Sequence, residues 1–268
     1  MSHVEGEVCI VTGAARGLGA AFGDALRTAG ATVITCDVLP GADAVVDVSD
    51  AAQVHEFVTQ VESRHGPIGV AVLNAGVCRF TDVRSPFESA ADDFDFHINT
   101  NLRGVFLCGR AVLPSMVAQR RGNVVIIGTD HYCRPADVPY NVGVMDAYDA
   151  SKWGLLGLVN SWANAVGGKG VRVNALSMGA TDSHMLRSFT AIATGKEPSD
   201  ETIASWMRPE QVATLVLDII DEGPDGRNGS NNPVIWGEPI VLPGWSRTAE
   251  GARPFLSVTN LTPSGGRG

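Results

Sequence analysis

Short β-branched runs alternate with longer helical periodicities along most of this chain, and that alternation constrains the fold more than any other feature. Val8 to Thr12 precedes a helical pattern near Leu18 to Ala29, and Thr32 to Asp37 precedes another near Ala51 to His65. Gly69 to Asn74 leads into the periodic stretch Phe94 to Ala118, Asn123 to Ile127 into Ala147 to Ala165, and Val171 to Leu176 into a less regular segment. Parallel strands joined by crossover helices produce this order, and strands covered on both faces read as unbroken apolar runs. The expectation is an α/β fold with one doubly wound parallel sheet of about seven strands and helices on both faces. Gly30 and the pair Gly167-Gly168 fall where helices should stop, glycine being the residue that most readily closes a helix end.

With 268 residues, 44% hydrophobic and 18% charged, the chain can bury one large core. A single α/β domain is expected over 1–248, followed by an irregular tail over 249–268 that is rich in Gly, Ser, Thr and Pro, either mobile or pinned by another subunit. Asp221 to Pro233 concentrates turn residues and is expected to be a surface loop before a last strand near Ile235 to Leu242. Twenty Lys and Arg against twenty-nine Asp and Glu leave a net charge of −9, which disfavours nucleic acid and anionic membrane surfaces as partners. No apolar run approaches the roughly 20 residues of a membrane span. The acidic start, Met-Ser-His-Val-Glu-Gly-Glu, is unlike a signal peptide, so a cytoplasmic protein is expected. Five cysteines without a C-x-x-C pair read as small buried hydrophobes, and six histidines without ligand spacing give no support for a metal site.

After the first strand stands Thr12-Gly13-Ala14-Ala15-Arg16-Gly17-Leu18-Gly19, a strand-to-helix turn spaced G-x-x-x-G-x-G. Glycines there let the backbone turn tightly and approach a pyrophosphate at the positive end of the next helix, which implies a dinucleotide. Gly13, Ala15, Arg16, Gly17, Leu18 and Gly19 are the residues expected to hold it. Asp37, eighteen residues past Gly19 at the end of the second strand, can accept hydrogen bonds from the adenosine ribose hydroxyls and repel a 2′-phosphate, which favours NAD over NADP. Arg16 could instead pair with that phosphate, but Val38 follows Asp37 and no second basic group assists it. Asp47 and Val48, after a short third strand, could contact the adenine edge or form a turn. Tyr148 and Lys152 stand four residues apart in a helical pattern, which puts phenol and ammonium on one face. The ammonium lowers a phenol pKa that is otherwise about 10, making Tyr148 a usable acid or base near neutral pH.

Together these motifs resemble the short-chain dehydrogenase/reductase family over approximately residues 5 to 245, which implies a Rossmann-type domain. TGAARGLG (12–19) resembles its coenzyme loop, LNAG (73–76) its N-A-G segment, which brings in Asn74, Ala75 and Gly76, and YDASK (148–152) its Tyr-x-x-x-Lys. NTNLRGVF (99–106) resembles the helix with the family's catalytic Asn, here Asn101, and NALSMGA (174–180) the segment beside the nicotinamide, which brings in Gly179 and Thr181. The resemblance implies that Tyr148 exchanges the proton with the alcohol or carbonyl oxygen, that Lys152 lowers its pKa and binds the nicotinamide ribose, and that Asn101 holds a water in the proton relay.

The chain departs from the family pattern in three places. Thr129 stands where a catalytic Ser is usual, the separation from Thr129 to Tyr148 is several residues longer, and Met178 replaces the usual Pro before Gly179. Substrate contacts are expected from the inserted segment (Tyr132, Val138, Tyr140, Met145) and from the segment after Gly179 (His184, Met185, Phe189, Trp206), giving a mostly apolar pocket for a hydrophobic alcohol or ketone, with ordinary packing as the alternative for each. His131 and His184 could assist proton transfer or bind a polar group, or simply be packed. The leading expectation is an NAD-dependent dehydrogenase of cyclic, terpenoid, steroid or aryl secondary alcohols, running in either direction. An NADPH-dependent ketoreductase and a catalytically silent dinucleotide-binding scaffold are the alternatives. A homo-oligomer, a tetramer or else a dimer, is expected through Phe94 to Ala118 and Ala147 to Ala165, which carries Trp153, Leu156, Val159 and Trp162.

Overall fold

The computed structural model describes residues 2–81, 83–132, 145–235 and 238–239. Its elements are β1 (Val8–Thr12), α1 (Gly17–Thr28), β2 (Thr32–Asp37), β3 (Ala44–Val45), α2 (Ala51–His65), β4 (Ile68–Leu73) and α3 (Phe87–His97), then a π-helical turn (Ile98–Gly104) that runs into α4 (Val105–Gln119). They continue with β5 (Gly122–Thr129), α5 (Asp146–Val166), β6 (Val171–Met178), α6 (His184–Thr194), α7 (Asp200–Ala204), α8 (Pro209–Asp221), β7 (Asn231–Ile235) and β8 (Glu238–Pro239).

The strands form one sheet in the order β3-β2-β1-β4-β5-β6-β7-β8. The first seven are parallel and β8 returns antiparallel against β7. Strand order reverses between β1 and β4, and the crevice beyond the carboxyl ends of strands at such a point is where open α/β sheets hold ligands. Every residue of β1, β4 and β6 is buried, as expected for strands covered on both faces. Alternate side chains serve the two layers: Ile10 packs with α2, α4 and α5, while Cys9 and Val11 pack with Phe22 and Leu26 of α1 and with Val212, Val216 and Ile220 of α8. Cys9, Cys36 and Cys108 are buried thiols within these layers, and burial pushes Cys9 and Cys108 up to about 12. α2 begins where the Asp50 carboxylate accepts from the N–H groups of Ala52 and Gln53, the usual way of satisfying first-turn donors.

Several boundaries differ from the sequence expectation. The periodic stretch read from Phe94 starts seven residues earlier, at Phe87, and opens into a π turn before α4. The irregular segment after β6 contains α8, whose Pro209 sits in the first turn and whose apolar residues recur at helical spacing. The segment read as loop up to Pro233 already holds β7 from Asn231. Its asparagines look like turn residues but are satisfied inside the sheet: Asn232 Nδ2 donates to Ala175 O at 2.8 Å and to Ser230 Oγ at 2.9 Å, and Ser230 Oγ donates to Asn174 Oδ1. Residues 240–268, with the remainder of the expected last strand and the tail, lie outside the described residues. On α5, Val159 and Trp162 are core residues, Trp162 filling the space left by Gly109 of α4. Trp153, Phe94 and Phe106 are instead among the exposed large apolar side chains of α3 to α5.

Candidate active site

The turn between β1 and α1 lies against the end of β4. Thr12 ties the two strands, its hydroxyl accepting from the N–H groups of Asn74 at 3.0 Å and Ala75 at 3.1 Å, and Asn74 Nδ2 donates back to the carbonyls of Thr12 and Gly13. Gly13 has φ +68°, and a Cβ there would lie 2.6 Å from Ala75 Cα. At Gly19 a Cβ would lie 2.1 Å from the carbonyl oxygen of Gly13, so only glycine lets the helix start this close to the strand. Arg16, the residue before α1, is extended and makes no side-chain cap, which leaves the first-turn N–H groups without a side-chain acceptor. At the end of β2, Asp37 is held by its own neighbours, Oδ2 accepting from Ala15 N and Oδ1 from Leu39 N, both at 3.0 Å. This cradle, with a helix N-terminus for a pyrophosphate and a fixed carboxylate for a ribose, fits a dinucleotide. Val48 is buried beside Gly104, whereas Asp47 turns its Oδ1 to Ser49 N and Oγ and so closes a turn.

The second half of the site gathers beyond β4, β5 and β6. A cavity of about 280 Å³ is lined by Asn74, Gly76 and Cys78 after β4, by Ile127 to His131 at the end of β5, by Met145, Tyr148 and Lys152, and by Met178 to Thr181 after β6. Met185, Leu186 and Phe189 of α6 close it from above, and Phe189 stacks on Phe80 with ring centroids 4.5 Å apart. Tyr148 and Lys152 occupy the first two turns of α5, with Lys152 Nζ 5.9 Å from the centre of the Tyr148 ring. Lys152 Nζ donates to Ile127 O at 3.1 Å, and burial pushes the ammonium down to about 8. A Cβ on Gly76 would stand 3.3 Å from Asn101 Oδ1 and 3.4 Å from Lys152 Nζ, so the glycine of the N-A-G segment makes room for both. Burial pushes the neighbouring Cys78 thiol up to about 12, partly opposed by Lys152.

Asn101 is fully buried in the π turn. Its Oδ1 accepts from Val77 N at 2.7 Å, and its Nδ2 donates to Val77 O and to Ser151 Oγ, which in turn donates to Tyr148 O at 2.6 Å. One extra residue in the turn aims this amide inward between β4 and α5, the kind of local departure that π turns provide at functional positions. Two histidines flank the phenol edge-on, His97 with centroids 6.1 Å apart and His131 at 5.7 Å. His97 Nε2 accepts from Arg79 N, so its Nδ1 is the donor to Asp93 O, and burial lowers its pKa.

The structure therefore brings Asn74, Gly76, Tyr148, Lys152, Thr129, Gly179 and Thr181 to one cavity, with Asn101 behind it and the glycine turn and Asp37 at the far end of the crevice. His131 and Met185 line the cavity, whereas His184 is exposed and turned toward Ser188. Tyr140 and Val138 lie outside the described residues. Residues that sequence reasoning passed over are Thr12, His97, Asp149 and Ser151. The last two sit inside YDASK itself, and only their partners, far away in sequence, reveal what they do.

A family model described as short chain dehydrogenase matches residues 7–192. A 3-oxoacyl-(acyl-carrier-protein) reductase of Thermotoga maritima is 33% identical over 231 residues, covering 80% of this chain and 90% of that protein. The oxidoreductase UcpA of Escherichia coli K12 is 29% identical over 216 residues, covering 74% of this chain and 78% of its own length. Among solved structures, levodione reductase superposes with a TM-score of 0.77 at 28% identity, covering 87% of this chain and 97% of that one.

Proposed function

The chain belongs to the short-chain dehydrogenase family and is an oxidoreductase, and from that premise we propose that it is an NAD-dependent dehydrogenase that oxidises a hydrophobic secondary alcohol (cyclic, terpenoid, steroid or aryl) to a ketone or runs the reverse reduction in the cytoplasm. The observation that carries this reading is the convergence of Tyr148, Lys152 and Thr129 on one mostly apolar cavity. A nicotinamide dinucleotide held by the glycine turn and Asp37 supplies the hydride acceptor or donor. Tyr148 takes the hydroxyl proton of the alcohol, or returns it to the carbonyl oxygen, and Lys152 stabilises its phenolate and holds the nicotinamide ribose. Asn101 holds the relay water, while Gly179 and Thr181 border the nicotinamide. Thr129 donates to the reacting oxygen as a serine would, its extra methyl narrowing the cavity.

Two expected results test the details. Thr129→Val keeps the side-chain shape and deletes the hydroxyl. If Thr129 holds the reacting oxygen through the transition state, kcat falls at least about tenfold, equivalent to about 1.4 kcal/mol, and Thr129→Ser retains activity. Turnover of Thr129→Val at the parent rate places the oxygen on another group. For the cofactor, kcat/KM is expected to be higher with NAD+ than with NADP+, and Asp37→Ala narrows the gap by about tenfold or more, because the carboxylate both binds the ribose and repels the phosphate. A parent enzyme that prefers NADP+ favours the second reading, an NADPH-dependent ketoreductase, which the reductase names of the relatives support.

We further propose a homo-oligomer, a tetramer or else a dimer, packed through the layer that exposes Trp153, Phe94 and Phe106. Light scattering is expected to give a multiple of the 28.1 kDa chain. A single-chain mass at micromolar protein contradicts this.

A further inference from the structure

We propose that His131 and Asp149 form a positioning pair that locks the first turn of α5, and with it Tyr148, against the end of β5; its catalytic consequence rests on the reading of Tyr148 as the proton carrier. The pair is a direct contact, with His131 Nδ1 2.6 Å from Asp149 Oδ1, and both side chains are largely withdrawn from solvent, at 15% and 23% exposure. A carboxylate oxygen has no hydrogen to give, so Nδ1 is the donor. The same imidazole packs edge-on against the Tyr148 ring at 5.7 Å and lines the cavity with Thr129 and Tyr148.

Position in the fold explains why such a tie is needed. Tyr148 is the third residue of α5, in the turn that frays first because its N–H groups have no helical acceptors. Thr129 ends β5 and stands 19 residues before Tyr148 in sequence, a separation too long for covalent connection alone to set the distance between the two hydroxyls. Cross-links from outside the helix can. On one side, Thr81 Oγ1 bonds the Asp146 carboxylate and accepts from Ala147 N at 3.3 Å. On the other, the His131 pair joins the residue next to Tyr148 to the residue two past Thr129. An aspartate in a helix's first turn is favoured by the dipole alone, and that would be a sufficient account if Asp149 did not meet an imidazole that also touches the phenol.

The titration of Tyr148 reads this geometry without any substrate. Among the described residues, the titratable groups near the phenol include, besides Asp146, Asp149 and Lys152 on α5, His97 at the end of α3, Cys78 after β4, and Asp130 and His131 after β5. Phenolate absorbance is measured against pH, with Tyr148 isolated as the parent signal minus that of Tyr148→Phe. His131→Ala is expected to raise the midpoint by about one pH unit or more, because the unlocked ring leaves the neighbourhood of Lys152. Asp149→Ala is expected to raise it too, although removing a carboxylate by charge alone would lower it. His131→Asn, whose amide N–H replaces the Nδ1 donor, keeps the parent midpoint. If His131→Ala does not fold, His131→Phe, which keeps a ring and loses the donor, carries the same expectation. A fall of the midpoint in Asp149→Ala, or no change in either variant, overturns the proposal. A protein that oxidised no alcohol at all would still give this titration, so the two readings fail separately.

Discussion

Tyr148→Phe is expected to lower kcat by about 10²–10⁴, the range for a lost general acid or base, with little change in NAD+ affinity. The substitution removes one oxygen from the centre of the cavity and leaves the ring edges against His97 and His131 in place. Proton exchange with the reacting oxygen then falls to water, which lacks both the fixed position and the ammonium beside it. Stopped-flow binding of NADH together with steady-state turnover separates the two effects. A variant that turns over within threefold of the parent, taken as about 0.7 kcal/mol, removes Tyr148 from the reaction.

Lys152→Met is expected to move activity and stability in opposite directions. Activity falls by about 10² or more, since the phenolate loses its cation and the ribose its donor. Stability at pH 7 rises by about 1–3 kcal/mol, because a buried ammonium that donates to the uncharged Ile127 carbonyl is replaced by an apolar chain of similar length. The pH dependence follows from burial pushing the folded pKa from 10.5 to about 8. Below about 8 the lysine is charged in the folded and unfolded chain alike, and the full penalty applies. Between about 8 and 10.5 the folded protein has released a proton that the unfolded chain still holds, so the parent gains stability relative to the variant as pH rises. Denaturant melts of both proteins at pH 7 and pH 9.5 measure this difference. A variant less stable than the parent at pH 7 makes Lys152 a structural residue first.

The parts of the fold that were legible in the sequence are those where one residue type serves one physical need. The β-branched run Thr32 to Asp37 and the helical periodicity from Ala51 to His65 coincide with β2 and α2. Where polar residues are satisfied by distant partners the sequence misleads, as at Asn231 and Asn232, whose partners Ser177 and Ala175 lie on β6. The π turn is invisible for a related reason: one extra residue barely disturbs the apolar periodicity of 94–118, yet it aims Asn101 inward. Within the candidate site, Tyr148 and Lys152 are legible because both lie on one helix, four residues apart. The flanking histidines are not, since His97 and His131 reach the phenol from two other elements, 51 and 17 residues away in sequence. Of the α5 residues that the sequence reading gave to an oligomer contact, Val159 and Trp162 are buried in the core and Trp153 is exposed, because only packing tells an apolar residue that faces the core from one that faces out.

The central claim is hydride exchange between a secondary alcohol and NAD+, and the most direct measurement is NADH formation by the purified full chain across cyclic, terpenoid, steroid and aryl secondary alcohols, with each ketone run in reverse. The account predicts turnover of at least one of these classes, faster with NAD+ than with NADP+, and abolished to within the Tyr148→Phe residual. Tight NAD+ binding without turnover of any alcohol or ketone contradicts it and leaves a dinucleotide-binding protein that does no chemistry on these substrates.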